Sequence, residues 1–278
     1  MASASEVSQR FLLAQRARQF PLICVLSRPH SFQIRNPVAH NRRSFFKLTF
    51  PGRERQVHKL DFRLTAAAEQ IRSTVHADVG SDHAGLLTAL IRSGRISRGI
   101  AIEKHQQPYE NSKHTLANYP AEARLGDGLA ALAPGEADSL SITGMGAENM
   151  VTILQAFPNR VPDYVVLQPN QTAEPIRAWA LDAGFHLQAE LIARGHRNYP
   201  TLTFRRADLH STGRDAAYDN VDREAGLMFG PLIIKRMSRI FQNELREEEA
   251  YWSKFSRLNS NRARRLNVIR RLLNLPPI

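Results

Sequence analysis

One cysteine, Cys24, stands among 278 residues. A lone thiol excludes a disulfide within the chain and any zinc cluster built on cysteines. It fits a reducing compartment, and a cytoplasmic location is expected. No apolar run is long enough to span a bilayer, so no membrane partner is expected. His76, His83, His105 and His114 stand without a His-Glu-x-x-His run, and no metal is expected. A complete Gly-x-Gly-x-x-Gly fingerprint is also missing.

Acidic residues are scarce at both ends. The chain carries 38 Lys/Arg against 26 Asp/Glu, a net charge of +12. Residues 1–56 hold ten basic and two acidic residues, net +8. Residues 57–220 hold sixteen against eighteen, net −2, and residues 221–278 hold twelve against six, net +6. A near-neutral core between basic ends is the footprint of a protein that handles a polyanion, most simply nucleic acid. Residues 1–56 show no sustained period and contain four prolines. They are Arg-rich and acid-poor like a transit peptide, but a disordered basic arm or an upstream stretch from a wrong start is the preferred reading. They are left out of the fold.

The most telling stretch is Val75-His76-Ala77-Asp78-Val79-Gly80-Ser81-Asp82-His83-Ala84-Gly85. Alternating apolar residues run into a small-residue turn, and a helical pattern follows. This is the strand, turn and helix that open a nucleotide-binding α/β sheet. Asp82 occupies a place where a dinucleotide fingerprint wants glycine, and its carboxylate would repel a pyrophosphate. An acidic loop of this shape suits a ligand that has positive groups and no phosphate. S-adenosylmethionine, with its ammonium and sulfonium, is the expected cofactor.

Two further acids agree. Arg98–Glu103 reads as a second strand ending in Glu103, placed to accept from ribose hydroxyls. Ala123–Asp127 follows as a third, with Asp127 placed to accept from an adenine amine. Gly80, Gly126, Gly128 and Gly144 mark tight turns beside them. Asp78, Gly80, Glu103, Asp127, Gly128 and Gly144 are therefore the candidate cofactor-binding residues.

The wider pattern alternates strand and helix. Strands are expected at Val75–Val79, Gly99–Ile102, Ala123–Leu125, Ser139–Thr143 and Tyr164–Gln168. Helices are expected at Leu60–Ile71, Ala84–Ser93, Pro108–Asn118, Ala147–Phe157 and Ala173–Ala183. His186–Arg194 and Tyr199–Arg206 form an antiparallel hairpin. Five parallel strands plus a hairpin is the order of a class I methyltransferase sheet, an α/β Rossmann-like fold with helices on both faces. Three parts follow: an extension at 1–56, a catalytic domain at 57–220, and a helical part at 221–278. In the last, apolar residues at helical spacing predict two long helices, read as an antiparallel coiled-coil hairpin turning near Leu258–Asn261. Its basic face, with Arg262, Arg264 and Arg265, is the candidate surface for an RNA backbone.

Several of these segments carry a resemblance. Ala77-Asp78-Val79-Gly80-Ser81-Asp82-His83-Ala84, Gly126-Asp127-Gly128, Ile142-Thr143-Gly144-Met145-Gly146, Leu167-Gln168-Pro169-Asn170, Asp215-Ala216-Ala217-Tyr218-Asp219 and Gly230-Pro231 resemble the bacterial tRNA adenine(22)-N1 methyltransferases. The resemblance runs from about Leu60 to the C-terminus. It implies a class I S-adenosylmethionine domain, a C-terminal coiled coil, and methylation of N1 of an adenine in tRNA. Gly85 departs from the family's usual bulkier residue, and Gly146-Ala147 from its glycine pair.

That reaction needs no strong base, because adenine N1 presents an unprotonated in-plane lone pair. Alignment and negative charge facing the cationic product should dominate. Asp82 and Asn170 are the candidate catalytic residues. Gln168 and Pro169 are the candidates for the adenine edge. The enzyme is expected to act as a monomer. A nicotinamide oxidoreductase and a silent RNA-binding relative are the alternatives; Asp82 weighs against the first, the intact acids against the second.

Overall fold

The computed structural model describes residues 60–195, 197–208 and 213–277. The basic extension at 1–56 lies outside the described residues. The chain builds β1 (Val75–Val79), β2 (Arg98–Glu103), β3 (Ala121–Leu125), β4 (Ser139–Thr143) and β5 (Tyr164–Gln168), all parallel. β6 (Phe185–Arg194) and β7 (Asn198–Arg206) close the sheet as an antiparallel pair. The order is β3-β2-β1-β4-β5-β7-β6. It reverses between β1 and β4, which is where such sheets open a crevice for ligands.

Helices cover both faces. α1 (Phe62–Gln70), α2 (Gly85–Arg92) and α3 (Gln106–Leu116) bury Ala67, Leu87, Leu90 and Leu116 on one side. α4 (Ala147–Ala156) and α5 (Glu174–Asp182) bury Met150, Leu154, Ile176 and Trp179 on the other. Asp61 starts α1, its Oδ1 accepting from the Leu64 amide at 2.7 Å. The strands alternate accordingly. Ala77, Val79, Leu140 and Ile142 enter the α4/α5 core. Their neighbours His76, Asp78, Ser139 and Ser141 point to the opposite face and are also buried. A parallel sheet normally presents aliphatic residues on both faces. Here β1 and β4 instead set a polar ladder, with His76 opposite Ser139 and Asp78 opposite Ser141.

The C-terminal part departs from the expected two long helices. Four form: α6 (Arg223–Phe229), α7 (Pro231–Arg236), α8 (Arg239–Trp252) and α9 (Ser260–Leu272). Gly230, at φ +100°, and Pro231 break the first stretch; Met237, left-handed at φ +38°, and the Ser238 cap break it again. Gly230 is required by packing as well as by conformation. A Cβ there would collide with the carboxylate of Glu190. Glu190 is buried in an ion pair with Arg177 at 2.8 Å, and Arg177 also donates to the carbonyl of Leu227. α6 and α7 are thereby held against α5 and β6, so the break lets the chain turn back onto the sheet edge.

Candidate functional site

Asp78 and Glu103 form the floor. Asp78 is the penultimate residue of β1 and Glu103 the last of β2, and they are only 2% and 3% exposed. Neither is in an ion pair among the described residues; each is held by a serine. Ser141 Oγ donates to Asp78 Oδ1 at 2.6 Å, and Ser112 Oγ to Glu103 Oε1 at 2.9 Å. Burial raises both carboxyls above their ordinary range, opposed by those hydroxyls, and Asp78 raises Glu103 further by charge. Two buried acceptors without a cation of their own suit a ligand bearing an ammonium and sugar hydroxyls.

Behind Asp78 lies a chain of hydrogen bonds. Ser141 spends its one hydrogen on Asp78, so His76 Nε2, 2.8 Å away, must donate to Ser141 Oγ. Burial pushes the His76 imidazole down to about 3, so the ring is neutral and carries a single proton. Its Nδ1 must then accept from Ser139 Oγ at 2.6 Å, and Ser139 in turn accepts from Ser73 Oγ at 2.6 Å. Every donor in the series points toward Asp78. The sequence reading weighed His76 only as a metal ligand. Its position opposite a serine strand read from residues more than sixty positions away could not be seen locally.

The turn after β1 is tight. Gly80 has φ +73°, and a Cβ there would collide with Met145 Cε. Asp82 and Ala84 follow with φ +58° and +50°, in the left-handed region that favours glycine. Asp82 thus stands at a position whose backbone suits glycine, as the fingerprint comparison anticipates. Its side chain is 73% exposed, with His83 Nε2 3.8 Å away. Asp127 also remains at the surface, and its carboxylate is paired with Lys104 at 2.8 Å. Gly128 is left-handed at φ +54°, packed closely on Ile153.

The turns after β4 and β5 are knitted together. Asn170 Nδ2 donates to the Gly144 carbonyl at 2.6 Å, and its amide to the Met145 carbonyl at 2.9 Å. Gln168 is not placed at an open edge. It is fully buried, with Nε2 donating to the Arg63 carbonyl at 2.9 Å and to Thr201 Oγ1 at 2.6 Å. Pro169 beside it is buried as well.

Arg63 belongs to the same rim and escaped the sequence reading, which treated α1 only as a packing helix. At Gly144, φ +77°, a Cβ would lie 2.8 Å from Arg63 Nη1, so the guanidinium sits directly over that turn. It also lies 5.5 Å from the Tyr199 ring, which packs edge-on to Phe62. The missing signal was chemical: a methionine carboxylate needs a cation, and the strand-end loops supplied acids.

The C-terminal arginines are less free than expected. Arg264 pairs with Glu174 and Glu224, and Arg265 pairs with Glu248 while covering the Phe229 ring. Arg262 lies over the Trp252 ring at 4.8 Å. Among the described residues there is no cluster of metal-ligating side chains and no helix long and apolar enough to cross a membrane.

Comparison with known proteins agrees with this geometry. Residues 76–274 match the family model for tRNA (adenine(22)-N(1))-methyltransferase. The Bacillus subtilis (strain 168) enzyme of that name is 33% identical over 198 residues, covering 68% of this chain and 81% of its own. The crystal structure of the B. subtilis m1A22 tRNA methyltransferase TrmK superposes with a TM-score of 0.68 at 29% identity, covering 77% of this chain and 99% of that one. Sp1610 of Streptococcus pneumoniae, in complex with S-adenosyl-L-methionine, superposes at 0.63 with 25% identity, covering 76% and 98%. The strand-end acids, the acidic left-handed turn and these matches place the chain in the tRNA (adenine(22)-N(1))-methyltransferase family, whose members transfer a methyl group from S-adenosylmethionine.

Proposed function

We propose that this protein methylates N1 of adenine 22 in tRNA, working as a monomer in the cytoplasm, and that its residues divide the work as follows. The observation that carries the reading is the buried, cation-free pair of Asp78, on β1 beside the reversal of the sheet, and Glu103, on the neighbouring β2. Bound S-adenosylmethionine supplies a sulfonium methyl: adenine N1 forms the N–C bond with its lone pair, and the C–S pair returns to sulfur.

Glu103 accepts from the ribose hydroxyls. Asp78 faces the methionine ammonium, and the Ser141 hydroxyl that donates to it favours its carboxylate form against the effect of burial. Arg63, over Gly144, is the partner for the methionine carboxylate. Asp127 contacts the adenine amine of the cofactor and releases or shares Lys104 to do so.

On the substrate side, Asp82 presents negative charge toward the base that becomes cationic. Asn170 acts through the loops, clasping the Gly144 turn so that the target adenine and the methyl line up. Gln168 is a support for the rim, since its amide is spent on Arg63 and Thr201. None of these steps removes a proton from N1, so no general base is assigned.

Calorimetric titration with S-adenosylmethionine and with NAD, followed by single-turnover methylation of tRNA, tests the reading. Binding of the first ligand alone and transfer to tRNA are expected. Binding of NAD alone, or cofactor binding without transfer, would replace it with one of the two alternatives.

A further inference from the structure

The turn between α8 and α9 carries an aromatic cluster that core packing does not account for. Tyr251, Trp252 and Phe255 contact one another, with ring centroids 4.8 to 5.7 Å apart. Yet Tyr251 is 52% and Phe255 47% exposed. The guanidinium of Arg262 stacks over Trp252 at 4.8 Å, a cation held on a ring face. Lys254 and Arg257 are exposed beside them and join no ion pair among the described residues.

From Ala250 to Ala263 the charge is of one sign. Residues 250–263 include Lys254, Arg257 and Arg262 and no acid. Of the acidic run just before, Glu248 and Glu249 are neutralised by Arg265 and Arg270, which leaves Glu247, exposed one helical turn behind Tyr251, as the one acid near the rings against three cations. Exposed rings flanked by unpaired cations fit a base and its phosphates: the ring takes a nucleobase face, and the cations take the backbone. Protein interfaces also favour aromatic residues and arginine but are depleted of lysine, so Lys254 and the net positive charge of the tip favour a polyanion. Arg264 and Arg265, by contrast, are already occupied inside the protein.

We propose that this tip is a stacking platform for an unpaired base of the tRNA substrate, distinct from the methylated adenine. The proposal rests on tRNA being the substrate. It divides the C-terminal part into internally paired arginines that brace the helices and a tip that grips the RNA.

The test combines tRNA binding at fixed salt, cofactor binding and steady-state methylation. Tyr251→Ala with Phe255→Ala should weaken tRNA binding about tenfold or more, the usual scale for losing a stacked base. Cofactor affinity and kcat should hold, while KM for tRNA rises. Phe255→Trp should keep binding and Phe255→Leu should not, since leucine is apolar without a π face. Lys254→Gln with Arg257→Gln should make the slope of log affinity against log salt shallower by about 1.5. Adding tRNA should change Trp252 fluorescence, Trp179 being buried in the core. Wild-type tRNA affinity in the double alanine variant would overturn the proposal. So would a wild-type dimer that this variant converts to a monomer, which would make the tip a self-association surface. A wild-type protein that binds no tRNA would sink the substrate reading itself, an outcome distinguishable from intact methylation with an indifferent tip.

Discussion

Ser141, on β4, gives its only hydroxyl hydrogen to Asp78, on the adjacent β1, across 2.6 Å of buried space. The direction of that bond determines the tautomer of His76 and ties the Asp78 carboxylate to a chain ending at Ser73. Removing the hydroxyl leaves a buried carboxylate short of a donor and a buried imidazole short of an acceptor. Ser141→Ala should therefore weaken S-adenosylmethionine binding about tenfold, on the order of 1.5 kcal/mol for a bond to a charged group. Calorimetry on a variant with an unchanged melting profile checks it. Unaltered affinity would mean that the chain supports the fold and not the ligand.

Acid should act on His76 before it acts on most of the molecule. Its folded value of about 3 lies below the ordinary 6.5, so the unfolded chain takes up a proton that the folded one refuses. Stability from this group is present above about pH 6.5 and is lost as pH falls toward 3, at up to about 1.4 kcal/mol per pH unit. Asp78 and Glu103, raised by burial, act in the opposite sense over their own window. Comparing wild type with His76→Gln in urea titrations from pH 7 to pH 4 separates the two. The variant should start less stable and lose less with acid. Parallel pH curves would contradict a neutral His76.

Cofactor affinity should fall with acid at a pH above the ordinary carboxylate range. Asp78 and Glu103 are both raised, so each becomes protonated sooner than an exposed acid would, Asp78 losing its hold on the ammonium and Glu103 on the ribose hydroxyls. Asp78→Asn should bind weakly and with a flatter pH profile. A profile as steep as wild type would assign the proton to another group.

The turn over Met145 offers a steric test. Gly80→Ala would place a methyl against Met145 Cε in a left-handed backbone, costing about 1–2 kcal/mol from conformation alone. Both melting temperature and cofactor affinity should drop. Gly146→Ala, with open space at its Cβ, should change stability little. Equal effects at the two sites would remove the steric argument.

Much of the sheet was legible because its signals are local. Alternation, turn residues and helix caps lie within a few positions of one another, and they placed β1 to β7 within two or three residues of their observed ends. The strand-end acids followed from the same local reading. What escaped depends on distant partners. The chain from Ser73 to Asp78 joins residues more than sixty positions apart, and so does the contact of Arg63 with the Gly144 turn. Gln168 looked open in sequence because nothing nearby revealed Thr201 and the Arg63 carbonyl on either side of it. The first of the two expected long helices is broken at Met237, whose left-handed backbone no local preference announces, and at Gly230, whose need is set by Glu190. Arg264 and Arg265 read as a basic face because their acidic partners sit on other helices.

The proposed activity is transfer of a methyl group to one ring nitrogen of one adenine. Unmodified tRNA carrying adenine at position 22 should be incubated with the protein and S-adenosylmethionine, then digested and mapped by mass spectrometry. A single 1-methyladenosine at position 22 is expected, none when that adenine is replaced by guanine, and strong loss in Asp78→Asn. Methylation at the exocyclic amine, at another nucleotide, or none with folded cofactor-bound protein would contradict it.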